Sequence, residues 1–561
     1  RKLMSAMPQM PETTPAPRLA FGTGFIDWIE AAPRAAFAAF LALHFVVWTA
    51  LPTLLYANLP LDLIEALTYG REWQLGYDKL PPLPWWLVEI MHRAFGADIA
   101  YYALAQAAVI IAFIAVWATA RPLVGANGAL VAVLIIDGMH YFQYTAVKFN
   151  HDVIQLPFWA LAGYAFHTAL TRGRVRHWLL LGFAFGCALW AKYFVVVLAA
   201  PYALFLIFDR DARRALATPG PWLALIVALV VAAPHVVWLV QTDFLPLAYA
   251  EHRAAEVRGW YDHILHPAAF IASQIFFLLP SFFIASALVW PKTTPLPLVG
   301  RGWGWGSRGN VASVADRTLP PDPPPDPPPT SLHSGARERG PGGGREFAAD
   351  AFDRRIVTLL AFGPGLAMIA LIAVSGRGTF AMWGYPLWLF VGLWIVLMLR
   401  ATLDRAHLTH AVAHWGAVFL ILAIAFVVNY SVLPLLDHRY RAVFYPGDKL
   451  AATLTQRFHD ATGTKLRYVV GAMWDGGNLA HYSPDQPEVL IDGLPQRAPW
   501  IDLADLRKKG AMVVWSGGDT AHLPAQFASI AGNAEVGAPF DLPMRRGTGT
   551  LHVGWAILKP Q

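Results

Sequence analysis

A single cysteine, Cys187, stands in 561 residues, so no disulfide can close within the chain and thiol chemistry says nothing about its compartment. Lying inside an apolar run, it reads as a packing residue. Charge is scarce too: Asp, Glu, Lys and Arg make up 14% of the residues, and a formal charge of +6 spread this thinly does not imply nucleic acid as a partner. Also lacking are a compact leader with a cleavage site, a glycine-rich phosphate loop, and any His, Cys, Asp or Glu spacing that resembles a closed metal site. The missing loop speaks against a nucleotide-bound donor. The two halves of the chain do not repeat each other's hydropathy, as the halves of many transporters do.

What the chain has instead is apolar length. Hydrophobic residues are 56% of the total, and the mean hydropathy is positive. Since about 20 mostly apolar residues cross a bilayer, spans are predicted near 36–56, 100–120, 127–146, 153–171, 221–241, 264–291, 355–374, 380–399 and 410–434. The 32-residue stretch 177–208 carries Lys192 near its centre and reads as two short helices meeting at that lysine, which makes eleven spans. Arg121, Arg172, Arg174, Arg176, Arg210, Arg213, Arg214, Arg400 and Arg405 then share one side with the N-terminus, as the positive-inside rule requires. The predicted organisation is a cytoplasmic tail at 1–35, a transmembrane region at 36–291 with outer loops at 57–99, 147–152 and 242–262, and a second transmembrane region at 355–436.

Between these regions, "LPPDPPPDPPPTSLHSGARERGPGGG" offers little apolar surface to pack, so 292–354 is expected to be a disordered cytoplasmic insert. After 437 the hydropathy falls, and strands such as "RYVVGA" alternate with helical stretches such as "DKLAATLTQRFHDATG". A small α/β domain is expected at 437–561, outside the membrane. The fold class is thus a polytopic α-helical membrane protein with a C-terminal α/β domain.

The first outer loop contains "LDLIEALTYGREWQLGYDKLPPLPWW" at 61–86. Asp62, Glu65, Tyr69 and Glu72 recur at helical offsets, with Leu63, Ile64 and Leu67 on another face, which predicts an amphipathic helix on the outer membrane surface. Such a row of acids is by itself no more than a solvated face. Lys79, the Pro81–Pro82 turn and the tryptophans that follow add a cation, rigidity and residues suited to the headgroup layer.

This layout resembles the GT-C membrane glycosyltransferases. Its nearest branch is glycosyltransferase family 39, the dolichyl-phosphate-mannose-protein mannosyltransferase-like proteins, together with the bacterial lipid A aminoarabinose transferases. "FNHDVIQLPFW" from 149, "GFAFGCALWAKYFVVVL" from 182 and "WGYPLW" from 383 carry the resemblance further, over roughly 36–290 and 355–435. The chain departs from the common pattern in separating its acids, as Asp62-Leu-Ile-Glu65, and in placing a leucine between Lys79 and Pro81.

The resemblance implies a polyprenyl-phosphate sugar as donor, a lipid, glycan or protein acceptor, an inverting displacement at the anomeric carbon, and a bacterial inner membrane with the C-terminal domain periplasmic. Such chemistry needs a carboxylate to take the acceptor's proton and fixed cations at the departing phosphate. Asp62 is the expected base, with Glu65 its alternative or a positioning group and Asp152 a second acidic pole. Lys79 and Lys192 are the expected phosphate ligands, although a lysine at a helix end can also snorkel. Arg253 and Arg258 are further phosphate candidates or ordinary surface charges.

His151 beside Asp152, with Asp62, raises a divalent metal ion, and His252 beside Glu251 a second. His140 and His235, near span ends, read as hydrogen-bonded core residues. A transporter or flippase of lipid-linked saccharide, and a catalytically inactive binding relative, are the competing readings.

Overall fold

The computed structural model describes residues 23–246, 257–289, 349–399 and 403–561. Glu251, His252, Arg253 and residues 292–348 of the predicted insert lie outside them.

Helices occupy most of the predicted places among the described residues, and the boundaries have local causes. Helix α1 (Thr23–Ala31) precedes α2 (Pro33–Leu55), which opens with a proline whose missing N–H costs nothing in a first turn. The end of the predicted tail is therefore helical, with Ile26 and Ile29 buried. Helix α3 (Leu61–Gly70) and α4 (Leu83–Phe95) follow in the first loop. The next helix, α5 (Ile99–Asp137), would be roughly 58 Å long if straight, about twice the hydrocarbon core. It breaks at Gly125, whose φ of 74° and ψ of 175° are open only to glycine, and so supplies two of the predicted spans.

Its second segment ends at Asp137, short of the predicted 146, and residues 138–149 continue as turns. Irregular backbone at this depth has to be buried in protein, and a polar cluster around the fully buried Asp137 holds it. Trp415 Nε1 and Gln143 Nε2 donate to Asp137 Oδ2 at 2.7 and 3.0 Å, and His44 Nδ1 lies 3.0 Å from Oδ1. His44 in turn meets Gln106 at 3.1 Å.

Helix α6 (His151–Arg172), α7 (Val175–Ala191), α8 (Val195–Phe208), α9 (Pro219–Gln241) and α10 (Asp262–Ser286) complete the first region. Helix α11 (Ala351–Ser375) starts inside the predicted insert because Asp350 and Asp353 close a reciprocal capping box. Of the span predicted at 380–399, only α12 (Val391–Met398) is α-helical; 381–390 is a short 3-10 turn followed by further turns. The last span, α13 (Arg405–Val427), runs through a π-turn to Leu436.

Beyond it, α14 (Gly447–Thr462), α15 (Met473–Tyr482) and α16 (Leu503–Lys509) flank a mixed sheet. Its strands are β1 (Tyr468–Gly471), β2 (Glu488–Ile491), β3 (Ala511–Ser516), β4 (Glu535–Val536), β5 (Phe540–Pro543) and β6 (Thr550–Leu558). Their order is β2-β1-β3-β6-β4, with β5 also on β6; β1 is parallel to β2 and β3, and β6 is antiparallel to β3, β4 and β5.

This domain sits on α3, which overturns the expectation of a surface helix. Leu63 through Gly70 are all buried, because α15 covers the face that was to meet water. Asn58 Nδ2 donates to Asn478 Oδ1 at 3.0 Å, and the Arg71 guanidinium donates to the carbonyls of Gln486 and Pro487, each at 3.0 Å. Glu72 falls beyond the helix end and does not extend the acidic row.

Candidate functional site

Five chain segments converge on one cavity of about 180 Å3. Helix α3 supplies Asp62 and Glu65, the loop before α4 supplies Lys79, the start of α6 supplies Asn150, His151 and Asp152, and the break between α7 and α8 supplies Lys192. Phe380, Met382 and Trp383 close the remaining side. Six of the residues singled out from the sequence, Asp62, Glu65, Lys79, His151, Asp152 and Lys192, thus meet here.

Two ion pairs, one half-buried at Lys79 and one buried at Lys192, frame the space. Lys79 Nζ lies 2.6 Å from Glu65 Oε2, and Lys192 Nζ lies 2.6 Å from Asp152 Oδ1. Burial pushes the Glu65 carboxyl above the usual carboxylate range, against the opposing pull of the Lys79 ammonium. Lys192 is the C-cap of α7, in an extended conformation that ends the helix, so the two short helices meet at the lysine as predicted. Its ammonium also stands 5.3 Å from the centroid of Trp383 and 5.7 Å from that of Phe194.

Asp62 is different. It is half-buried, makes no ion pair among the described residues, and accepts one hydrogen bond, from Asn150 Nδ2 at 2.9 Å. Asn150 is held for this by its own backbone: its Oδ1 accepts from the N–H groups of Asp152 and Val153 as the N-cap of α6, at 3.0 and 3.1 Å.

His151 spends Nε2 on the carbonyl of Pro81 at 3.0 Å and packs its ring edge-on against Trp85. It therefore fixes the Pro81–Pro82 turn. With His151 so engaged, Asp152 on a lysine and Asp62 on an amide, the cluster does not fit a cation, and no group of three candidate ligands occurs among the described residues.

Arg258 is exposed and does not line the cavity; its backbone N–H donates to Asp262. Of its two readings, phosphate candidate or surface charge, this placement is that of a surface charge. His235 is hydrogen-bonded as expected, to Leu75 O at 2.6 Å and Tyr193 Oη at 3.0 Å. His140 instead stacks on Phe277, and its Nδ1 has no hydrogen-bond partner among the described residues.

Several contributors were not assigned from sequence. Asn150 and Trp383 stand inside the stretches "FNHD" and "WGYPLW", so a signal existed. Asp78 and Arg497 had none, since they meet only in the fold: Arg497 Nε donates to Asp78 Oδ2 at 2.8 Å while its other arm pairs with Asp492. Tyr69 Oη donates to the second oxygen of Asp78 at 2.7 Å. The C-terminal domain thereby grips the residue adjacent to Lys79. Asp475 is buried within that domain, accepting from Tyr445 and Ser516, away from the cavity.

The chain aligns over 92% of its length with 97% of the crystal structure of ArnT from Cupriavidus metallidurans bound to undecaprenyl phosphate, at a TM-score of 0.57 and 13% identity. The apo form of that protein aligns over 93% of this chain and 98% of its own, again at 0.57, with 14% identity. The chain has the GT-C fold. Residues 79–238 match the family described as dolichyl-phosphate-mannose-protein mannosyltransferase. The lipid A galacturonosyltransferase RgtD of Rhizobium johnstonii is 26% identical over 227 residues, which are 39% of this chain and 46% of that protein. The lipopolysaccharide core galacturonosyltransferase RgtA of the same organism is 27% identical over 202 residues, 36% of this chain and 40% of that one. The matched region is thus less than half of either curated relative. Together these matches uphold the resemblance to ArnT-like GT-C proteins, and with the apolar helices they make the chain a multi-pass membrane protein.

Proposed function

We propose that this chain is an integral membrane glycosyltransferase that moves a sugar, with inversion, from a polyprenyl-phosphate donor to an acceptor hydroxyl at the periplasmic face of a bacterial inner membrane. The observation that carries the reading is the difference among three carboxylates in one cavity. Glu65 and Asp152 are each committed to a lysine at 2.6 Å, whereas Asp62 holds a single amide hydrogen bond. Asp62 is the base; the other two acids hold the cations in place.

In the reaction, the acceptor oxygen attacks the anomeric carbon, its proton passes to Asp62, and the bond from that carbon to the phosphate oxygen breaks with its electron pair leaving on the polyprenyl phosphate. Lys79 and Lys192, fixed before the donor arrives, stabilise the charge that grows on the leaving group without reorganising. The curated relatives, named for lipid A and for the lipopolysaccharide core, support an envelope glycolipid as acceptor. The N-terminal end is then cytoplasmic and the α/β domain periplasmic.

The test is single-turnover transfer in nanodiscs from a pool of polyprenyl-phosphate sugars to membrane acceptors, wild type beside Asp62→Asn. Product from the wild type alone, with folding and donor binding retained in the variant, supports the assignment. Donor binding without product in the wild type would move the reading to a flippase or an inactive binding relative.

A further inference from the structure

A second cavity, of about 330 Å3, lies where the last span leaves the membrane and meets the α/β domain. Its floor is the chain following Pro434, and its roof is the β5–β6 turn, Met544–Gly549. None of the residues of the first cavity contributes to it.

The lining is basic. Arg439, Arg441 and Arg546 enter it with His438, and Asp437 and the rim residue His552, paired with Asp541, are also present. Asp437 is the one carboxylate in the lining, and Arg441 takes both of its oxygens, at 2.7 and 3.0 Å. Arg439 stands 3.9 Å from the same carboxylate with its side chain 84% exposed. Arg546 has no carboxylate partner among the described residues; it donates to the carbonyl of Tyr430 at 3.1 Å and its guanidinium lies 5.5 Å from the centroid of Phe444. Three guanidinium groups thus line a cavity that holds one carboxylate, and only two of them reach it.

The turn that brings Arg546 down is built for close approach. Gly547 has a φ of 85°, and a side chain there would meet the carbonyl of Pro434 at 3.3 Å. Met544 N–H donates to Gly549 O at 3.0 Å and Arg545 N–H to Phe444 O at 2.8 Å, which pin both ends of the turn.

The rim is apolar and aromatic: Leu435, Leu436 and Tyr440 are exposed at the end of the span. Exposed leucines beside a tyrosine mark the depth of the headgroup layer, and arginines at that depth attract phosphate. We infer that this cavity binds the phosphate group of a membrane lipid headgroup, with Arg439 and Arg546 as its ligands and Arg441, locked on Asp437, as a fixed background charge. The lipid's acyl chains run along Leu435 and Leu436. The phosphate belongs either to bulk anionic phospholipid, which would anchor the α/β domain to the bilayer, or to a phosphorylated acceptor glycolipid, which would be held there by a group remote from the reacting hydroxyl.

Native mass spectrometry of the detergent-purified full chain tests this, with added phosphatidylglycerol, a diphosphorylated acyl disaccharide, uncharged diacylglycerol, or undecaprenyl phosphate. The variants are Arg439→Gln and Arg546→Gln, each leaving the Asp437–Arg441 pair intact, and Lys192→Ala as the first-cavity control. Retention of phosphatidylglycerol or of the disaccharide is expected to weaken roughly fivefold for each positive charge removed at Arg439 or Arg546, while Lys192→Ala leaves that retention unchanged and lowers undecaprenyl phosphate retention. If phosphatidylglycerol and the disaccharide lose retention alike, the site is an anchor; if only the disaccharide does, it is an acceptor subsite; both uphold the inference. Equal retention of diacylglycerol, or no effect of either arginine variant, overturns it. Loss of both lipid classes in Lys192→Ala alone would also overturn it, while leaving the transferase reading standing.

Discussion

Asp152 and Lys192 meet at 2.6 Å although they come from opposite ends of two different helices, the first turn of α6 and the break after α7. Removing one partner strands a buried charge at a cost of about 3–5 kcal/mol, whereas replacing both with apolar groups is often neutral. Lys192→Met and Asp152→Leu are each expected to lower the unfolding midpoint sharply in detergent, and the double variant to recover most of it without recovering transfer. Equal destabilisation by the double variant would show that the pair is not the unit holding this junction together.

Asp62 and Glu65 stand one helical turn apart and are expected to fail differently. Loss of a general base costs about 10²–10⁴-fold, so Asp62→Asn should remove turnover on that scale while leaving polyprenyl phosphate binding intact. Glu65→Gln releases Lys79 from its partner and should instead weaken donor binding. Transfer rates and donor affinities measured on both variants distinguish the two roles, and interchanged phenotypes would make Glu65 the base.

How much of this was legible beforehand depends on the range of the contacts involved. Lys192 declared itself because a lysine amid 32 apolar residues needs a break and a partner, and both are found. The spans were readable for the same reason, since apolar length is a local property. The environment of α3 was not: its polar offsets describe an exposed face, yet α15, more than 400 residues later, covers it. Arg497 and Asp78 meet over a similar separation, so nothing near either residue signals the contact. The early end of α5 depends on Asp137 finding Trp415 and His44, again a matter of tertiary packing.

Glu72, just past α3, gives a pH signature. Burial, with Glu488 and Glu89 nearby, raises its carboxyl from 4.5 to about 7. Because the folded-state value lies above the ordinary one, its contribution to stability is full below about pH 4.5 and is lost as the pH rises through about 7. Thermal unfolding between pH 5 and 8 should therefore fall more steeply for the wild type than for Glu72→Gln. Parallel profiles would mean that Glu72 ionises freely in the folded chain.

Arg497 reaches from the α/β domain to Asp78, the residue before Lys79, and Tyr69 holds the other oxygen of the same carboxylate. A hydrogen bond to a charged group contributes about 1.5–3 kcal/mol, and here it fixes the backbone from which Lys79 reaches the cavity. If the α/β domain positions that lysine, Arg497→Ala should raise the donor KM roughly tenfold or more with a smaller change in kcat. Arg497→Lys, which can still reach one oxygen, should recover part of the loss. A purely structural role would lower the amount of active protein and leave the KM of the surviving fraction unchanged, so the split between KM and kcat decides whether the domain serves the reaction or merely caps the helix beneath it.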